Sequence, residues 1–188
     1  MKIIFSKRCL EYEFLGYPES AQRLRNTHNL LAQQNFDFIE PEPAKEEDVL
    51  RVHTSKLLEK IKNAEFLDAD TPNSKKMYEF ALLSCGAALK AQEMALNNTP
   101  AFSLMRPPGH HAMKDSAGGF CYFNNIAVAV IKALDSVKRV SIIDIDCHHG
   151  NGTQDIFLGD KRVLCVSLHQ SPLYPGTGLK SIENCLNF

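Results

Sequence analysis

Apolar residues in the first half of this chain recur mostly at three- and four-residue spacing, whereas later they gather into short unbroken runs. That change of period separates amphipathic helices from buried strands. Lys2 to Phe5 reads as a first strand. Glu19 to Gln34 reads as a helix with Leu24, Leu30 and Leu31 as its apolar positions, and Pro41 and Pro43 then break the chain. Two helices follow, Glu46 to Val52 and Ser55 to Phe66, the second turning Leu57, Leu58, Ile61 and Phe66 toward a core. Asp68 to Ser74 has loop composition. Met77 to Leu96 is the clearest helix, with Phe80, Leu83, Ala87, Ala91 and Met94 in one stripe, closed by Asn97 and Asn98.

From Phe102 onward the predicted order is strand, helix, strand, helix, strand. The strands are Phe102 to Met105, Val140 to Ile145 and Val163 to Leu168, and the helices are Asn125 to Val137 and Asn151 to Leu158. Ile126, Val130, Ala133 and Val137 form the apolar side of the first of these helices. Val140 to Ile145 is nearly all apolar and β-branched, the pattern of a strand covered on both faces. This alternation predicts an α/β layered domain with a parallel sheet.

Composition narrows the class. The 188 residues are 44% hydrophobic and 23% charged, as in globular domains, and the net charge of -1 supplies no field for nucleic acid. No stretch approaches the ~18 apolar residues of a membrane span, and Met1 to Leu15 lacks the apolar core of a signal peptide. The six cysteines form no C-x-x-C pair, and several lie in apolar runs, which fits small buried residues in a reducing compartment. A cytoplasmic protein is expected, without nucleic-acid or membrane partners.

The chemistry-bearing residues cluster at the carboxyl ends of the late strands, where open α/β sheets place their sites. In Ile143-Asp144-Ile145-Asp146-Cys147-His148-His149-Gly150, alternation puts Asp144, Asp146 and His148 on one face. Two carboxylates and an imidazole so close repel and desolvate badly without a cation, and a carboxylate–imidazole pair suits zinc. A lone D-x-D would more simply cap the next helix, and the two histidines beyond it turn the balance. Arg106-Pro107-Pro108-Gly109-His110-His111-Ala112 sets two histidines after a rigid turn, a pairing suited to proton transfer. Gly118-Gly119-Phe120-Cys121-Tyr122-Phe123-Asn124-Asn125 ends in a helix N-cap at Asn124 or Asn125, and Tyr174-Pro175-Gly176-Thr177-Gly178 is a loop with an aromatic tip.

In this order these four segments resemble the signature of the zinc-dependent histone deacetylases and acetylpolyamine amidohydrolases, nearest to class II enzymes and their bacterial relatives. Tyr17-Pro18-Glu19-Ser20-Ala21-Gln22-Arg23-Leu24 is similar to the family's start, with Tyr17 in place of its usual histidine. Val52-His53-Thr54 and Asp70-Thr71-Pro72 match weaker landmarks. The resemblance implies an arginase-like α/β fold and hydrolysis of an acetyl amide, with acetylated lysine or acetylated polyamine as substrate and Zn2+ as cofactor. It implies Asp146 and His148 as zinc ligands, His111 as general base, and His110 as its partner oriented by Asp144. Asn151 is the implied partner of His111. Gly119, Phe120 and Tyr174 match positions lining an acyl tunnel, and Asp144, Ser167 and Leu168 match a site for K+ or another monovalent cation.

The family's third zinc ligand, an aspartate, and its transition-state tyrosine lie in later segments, and no aspartate follows Asp160 here. The resemblance therefore implies one incomplete deacetylase domain over residues 1–188, its C-terminal part missing, with zinc weakly held, activity impaired and an apolar edge exposed. The alternatives are a catalytically inactive acyl-lysine-binding module and a scaffold fragment.

Overall fold

Two small parallel sheets, joined by helices, carry the site of this protein. The structure is a computed structural model describing residues 1–66 and 68–188. Strand β1 (Lys2–Ile4) lies between β2 (Asp37–Ile39) and β3 (Ala101–Ser103), with Ile3 opposite both Phe38 and Phe102. In the second sheet β5 (Val163–Ser167) lies between β4 (Val140–Asp144) and β6 (Cys185–Asn187), with Cys165 opposite Ile142 and Cys185. The pairings between these strands are parallel, as the alternating elements predict.

Among the described residues, six α-helices connect and cover them: α1 (Ala21–Gln33), α2 (Glu46–Leu50), α3 (Ser55–Asn63), α4 (Lys76–Leu96), α5 (Asn125–Ala133) and α6 (Asn151–Phe157). Helix α3 starts where the Thr54 hydroxyl accepts from Leu57 N–H and ends where Ala64 turns left-handed, at φ 57°. Asn124, not Asn125, caps α5, its side-chain oxygen accepting from Ala127 N–H at 3.0 Å. The main core packs Leu57, Leu58 and Ile61 of α3 and Met77, Phe80 and Ala81 of α4 against Tyr122, Phe123 and Val128. A smaller core under the first sheet holds Ile3, Phe5, Cys9, Leu24 and Leu104.

Several expectations need correcting. Strand β4 is covered on one face only: Ile142 is buried, but Ile143 and Ile145 are 67% and 79% exposed. Its apolar run signals burial, yet α5 and α6 pack on one side and leave the other open. The progression from Phe102 is not one sheet, because β3 pairs with β1 and β4 with β5, so α5 bridges two sheets. Ile126 and Leu30 are exposed rather than core-facing. Helix α1 begins at Ala21, because Glu19 turns inward to meet Arg106. Strand β2 and a 3-10 turn over Lys7–Leu10 have no counterpart in the sequence reading, since three or four residues between breakers are too short to show a period. Five cysteines are buried as expected, but Cys147 is exposed.

Candidate functional site

The site is assembled from four segments that follow strands or precede helices. Strand β4 delivers Asp144 at its carboxyl end, and the chain bends through Asp146, Cys147 and His148 before Asn151 opens α6. The segment after β3 brings His110 and His111, tied to α6 by Thr153 N–H donating to the His110 carbonyl at 3.1 Å. The segment before α5 brings Gly119 and Phe120, whose N–H donates to the Thr71 hydroxyl at 2.9 Å.

One cleft of about 410 Å³ is lined by His110, His111, Gly119, Phe120, Asp146, His148 and Tyr174, together with Pro18, Glu19, Arg23, Asp70 and Pro108. Asp144 and Asn151 stand behind the two histidines. His110 Nδ1–H donates to Asp144 Oδ2 at 2.8 Å, and His111 Nδ1–H donates to Asn151 Oδ1 at 2.7 Å. An amide or carboxylate oxygen only accepts, so both imidazoles are held with the proton on Nδ1 and the other nitrogen free. The two rings lie 3.9 Å apart. Tyr174 stands edge-on to His111, ring centroids 4.9 Å apart, and His148 lies 6.0 Å from His111.

Two glycines permit this crowding. Gly119 has φ +56°, and a Cβ there would lie 2.6 Å from His111 Cδ2. A Cβ on Gly150 would run into the Asp144 carboxylate that orients His110.

The electrostatics differ from group to group. Burial, reinforced by His110, pushes His111 down to about 4, so this imidazole is neutral at pH 7. Burial would raise Asp146, but the His148 N–H and the neighbouring imidazoles outweigh it and hold the carboxyl below its usual range. Asp146 Oδ1 accepts from His148 N–H at 2.8 Å and lies 3.0 Å from His148 Nδ1. Asp146, Cys147 and His148 can each offer one ligand atom within 4.8 Å of the others, the one such group of three among the described residues.

Ser167 and Leu168 do not reach the cleft. They lie at the end of β5 beside Asp144, whose carbonyl accepts from Leu168 N–H at 2.9 Å. Three positions near the site are given no role of their own in the sequence analysis. Cys147 lies between Asp146 and His148, and the bends at 146–148 leave its Sγ 3.3 Å from His148 Nδ1. Arg106, 1% exposed, pairs with Glu19 and donates to the carbonyls of Cys9, Tyr12 and Glu19. No local signal reveals a partner 87 residues away. His53 lies buried beneath the site, donating from Nδ1 to the Met113 carbonyl and accepting Asn124 N–H on Nε2, both at 2.9 Å.

Comparison with known proteins adds to this geometry. The family described as "Histone deacetylase domain" matches residues 17–185. A protein named "Probable deacetylase" from Archaeoglobus fulgidus is 40% identical over 94% of this chain and 53% of its own length. "Histone deacetylase-like amidohydrolase" from Pseudomonas aeruginosa is 41% identical over 85% of this chain and 46% of its own. The crystal structure of the HDA15 HD domain superposes with a TM-score of 0.92 at 31% identity, covering all of this chain and 62% of that one. The chain thus spans about half the length of the curated relatives it matches.

Proposed function

This chain belongs to the histone deacetylase family, and from that membership we propose that its cleft serves zinc-dependent removal of acetyl groups from acetylated lysine or a similar acetylated amine, such as an acetylated polyamine. Its arginase-like α/β fold puts the cleft at the carboxyl ends of parallel strands. One observation carries the reading: two imidazoles, each oriented by its own oxygen partner, face Asp146 and His148 across one hollow.

Asp146 and His148 fit zinc, offering a hard oxygen and an imidazole nitrogen 3.0 Å apart. When bound there, the metal supplies Lewis-acid polarisation of the acetyl carbonyl and activation of water. The residues do the rest. His111, neutral at pH 7 with Nδ1–H engaged by Asn151, accepts the water proton on Nε2. The imidazole pair, with His110 oriented by Asp144, then passes that proton on to the leaving amine. Gly119, Phe120 and Tyr174 flank the acyl stem with apolar and aromatic surface. A K+ ion suits Asp144, Ser167 and Leu168: the Asp144 and Ser167 carbonyls each accept one backbone N–H and keep a second lone pair.

The test is zinc content and acetyl-lysine peptide turnover, measured on this chain and on a form extended to the length of its relatives. Bound zinc is expected, with turnover lost on chelation and in His111→Ala. Turnover that survives chelation refutes the reading. Peptide binding without turnover in both forms identifies an acyl-lysine-binding module instead.

A further inference from the structure

We propose that His149 is a positioning residue for the acyl tunnel: together with His169 it latches the loop bearing Tyr174 to the segment that follows strand β4. The inference goes beyond the deacetylase reading above and rests on it for one point, that Tyr174 walls the acyl stem. Neither imidazole lines the cleft. His149 follows His148 in the chain yet is 2% exposed, and His169 comes just after strand β5, the two rings lying 4.8 Å apart. Their partners fix which nitrogen does what. Gln154 Oε1, which already accepts from Asn187 Nδ2 at 3.0 Å, stands 3.3 Å from His149 Nε2, so Nε2–H donates to it. Nδ1 is left as an acceptor, and the Thr177 hydroxyl donates to it at 2.8 Å. His169 is arranged alike: Nε2–H donates to the Gly178 carbonyl at 3.2 Å, and Nδ1 accepts from the Ser167 hydroxyl at 2.9 Å. Two imidazoles, one from beyond each strand, thus hold Thr177 and Gly178.

Packing agrees with the hydrogen bonds. Gly178 has φ +75°, and a Cβ there would lie 2.5 Å from His149 Cγ and Cδ2 and 2.7 Å from His169 Nε2. Only glycine lets the chain lie so close to both rings. The other end of the loop is held by Gln170 N–H, which donates to the Cys147 carbonyl at 2.9 Å. Between these anchors Gly176 N–H donates to the Leu173 carbonyl at 2.8 Å, a bond internal to the loop. Tyr174 sits in that span, its ring 4.9 Å from His111 and 6.3 Å from His148. Its place against the cleft is set by the anchors on either side of it. Both reach back to the segment 147–149, which carries His148. The tunnel wall and the metal-binding segment are thereby fixed to one another.

The experiment uses the full chain and changes the partner rather than the buried His149 itself. Thr177 is exposed, so Thr177→Val removes the donated hydrogen bond without opening the core, and Thr177→Ser keeps it. In Thr177→Val, exchange of the Gln170 and Gly176 amides, followed by NMR, is expected to quicken by about three- to tenfold, the factor for one lost hydrogen bond. Binding of a fluorescent acetyl-lysine peptide to the chain incubated with Zn2+, read by anisotropy, is expected to weaken by a similar factor. Thr177→Ser should restore both, and the urea midpoint should stay native in each variant. Faster exchange with native peptide affinity makes the bond merely structural and overturns the positioning role. Unchanged exchange and unchanged affinity in Thr177→Val overturn the latch itself. In both of those results, peptide binding by the native chain leaves the deacetylase reading standing. Failure of the native chain to bind the peptide overturns that reading, and this inference with it.

Discussion

Replacing Arg106 by Met is expected to destabilise the protein severely, though the side chain touches no reacting group. The guanidinium is 1% exposed and stacks 3.5 Å from the Tyr12 ring centre. Its Nε donates to both Glu19 carboxylate oxygens, at 2.9 and 3.1 Å, while its terminal nitrogens donate to three backbone carbonyls at 2.7–3.0 Å. Methionine fills much of the volume but leaves the Glu19 carboxylate buried without its main counter-charge. Removing one partner of such a pair costs about 3–5 kcal/mol. Whole domains have only about 5–15 kcal/mol in hand. Urea unfolding followed by circular dichroism should show the midpoint falling by roughly 1–5 M, given slopes of about 1–3 kcal/mol per M. Arg106→Lys keeps the charge but gathers its donors on one nitrogen, which cannot span the carboxylate and three carbonyls. An intermediate loss is expected, and it gives a measurable result should the Met variant fail to fold. A midpoint for Arg106→Met within about 0.5 M of the native value would refute the claim that this pair ties the Glu19 segment to the segment bearing His110 and His111.

Burial holds His53 down at about 4 from an ordinary 6.5, so the unfolded chain takes up a proton there before the folded one does. Stability is therefore expected to fall as pH drops from about 6.5 to about 4, by about 3 kcal/mol from this residue, and His53→Gln should flatten that slope in urea titrations across the range. Asn151→Asp should raise the His111 pKa from about 4 by putting a carboxylate against Nδ1; because the base must be neutral, the acidic limb of the activity profile should move to higher pH, and imidazole NMR titration checks it directly. Gly119→Ala should lower acetyl-peptide turnover at least about tenfold and cost about 1–2 kcal/mol, since a left-handed alanine would press its Cβ onto the His111 ring; native-like turnover would show that the ring can yield.

Local order was legible in this sequence because periodicity and capping act within a few residues. The helix carrying Phe80 and Leu83, a cap at Asn124 or Asn125 and a strand starting at Val140 follow from neighbours alone, and so does the gathering of chemistry at the strand's end. The four segments in order also carried the family resemblance that the profile match over residues 17–185 bears out. Tertiary structure decided what depends on distant partners. The pairing of Arg106 with Glu19 and the burial of His53 join positions that no short window contains. The open face of Ile143 and Ile145 is likewise a matter of which elements pack beside β4, because an apolar run states a preference for burial without supplying the cover. The turn of Cys147 toward His148 arises where strand geometry lapses, and alternation, a property of extended chain alone, stops predicting direction there.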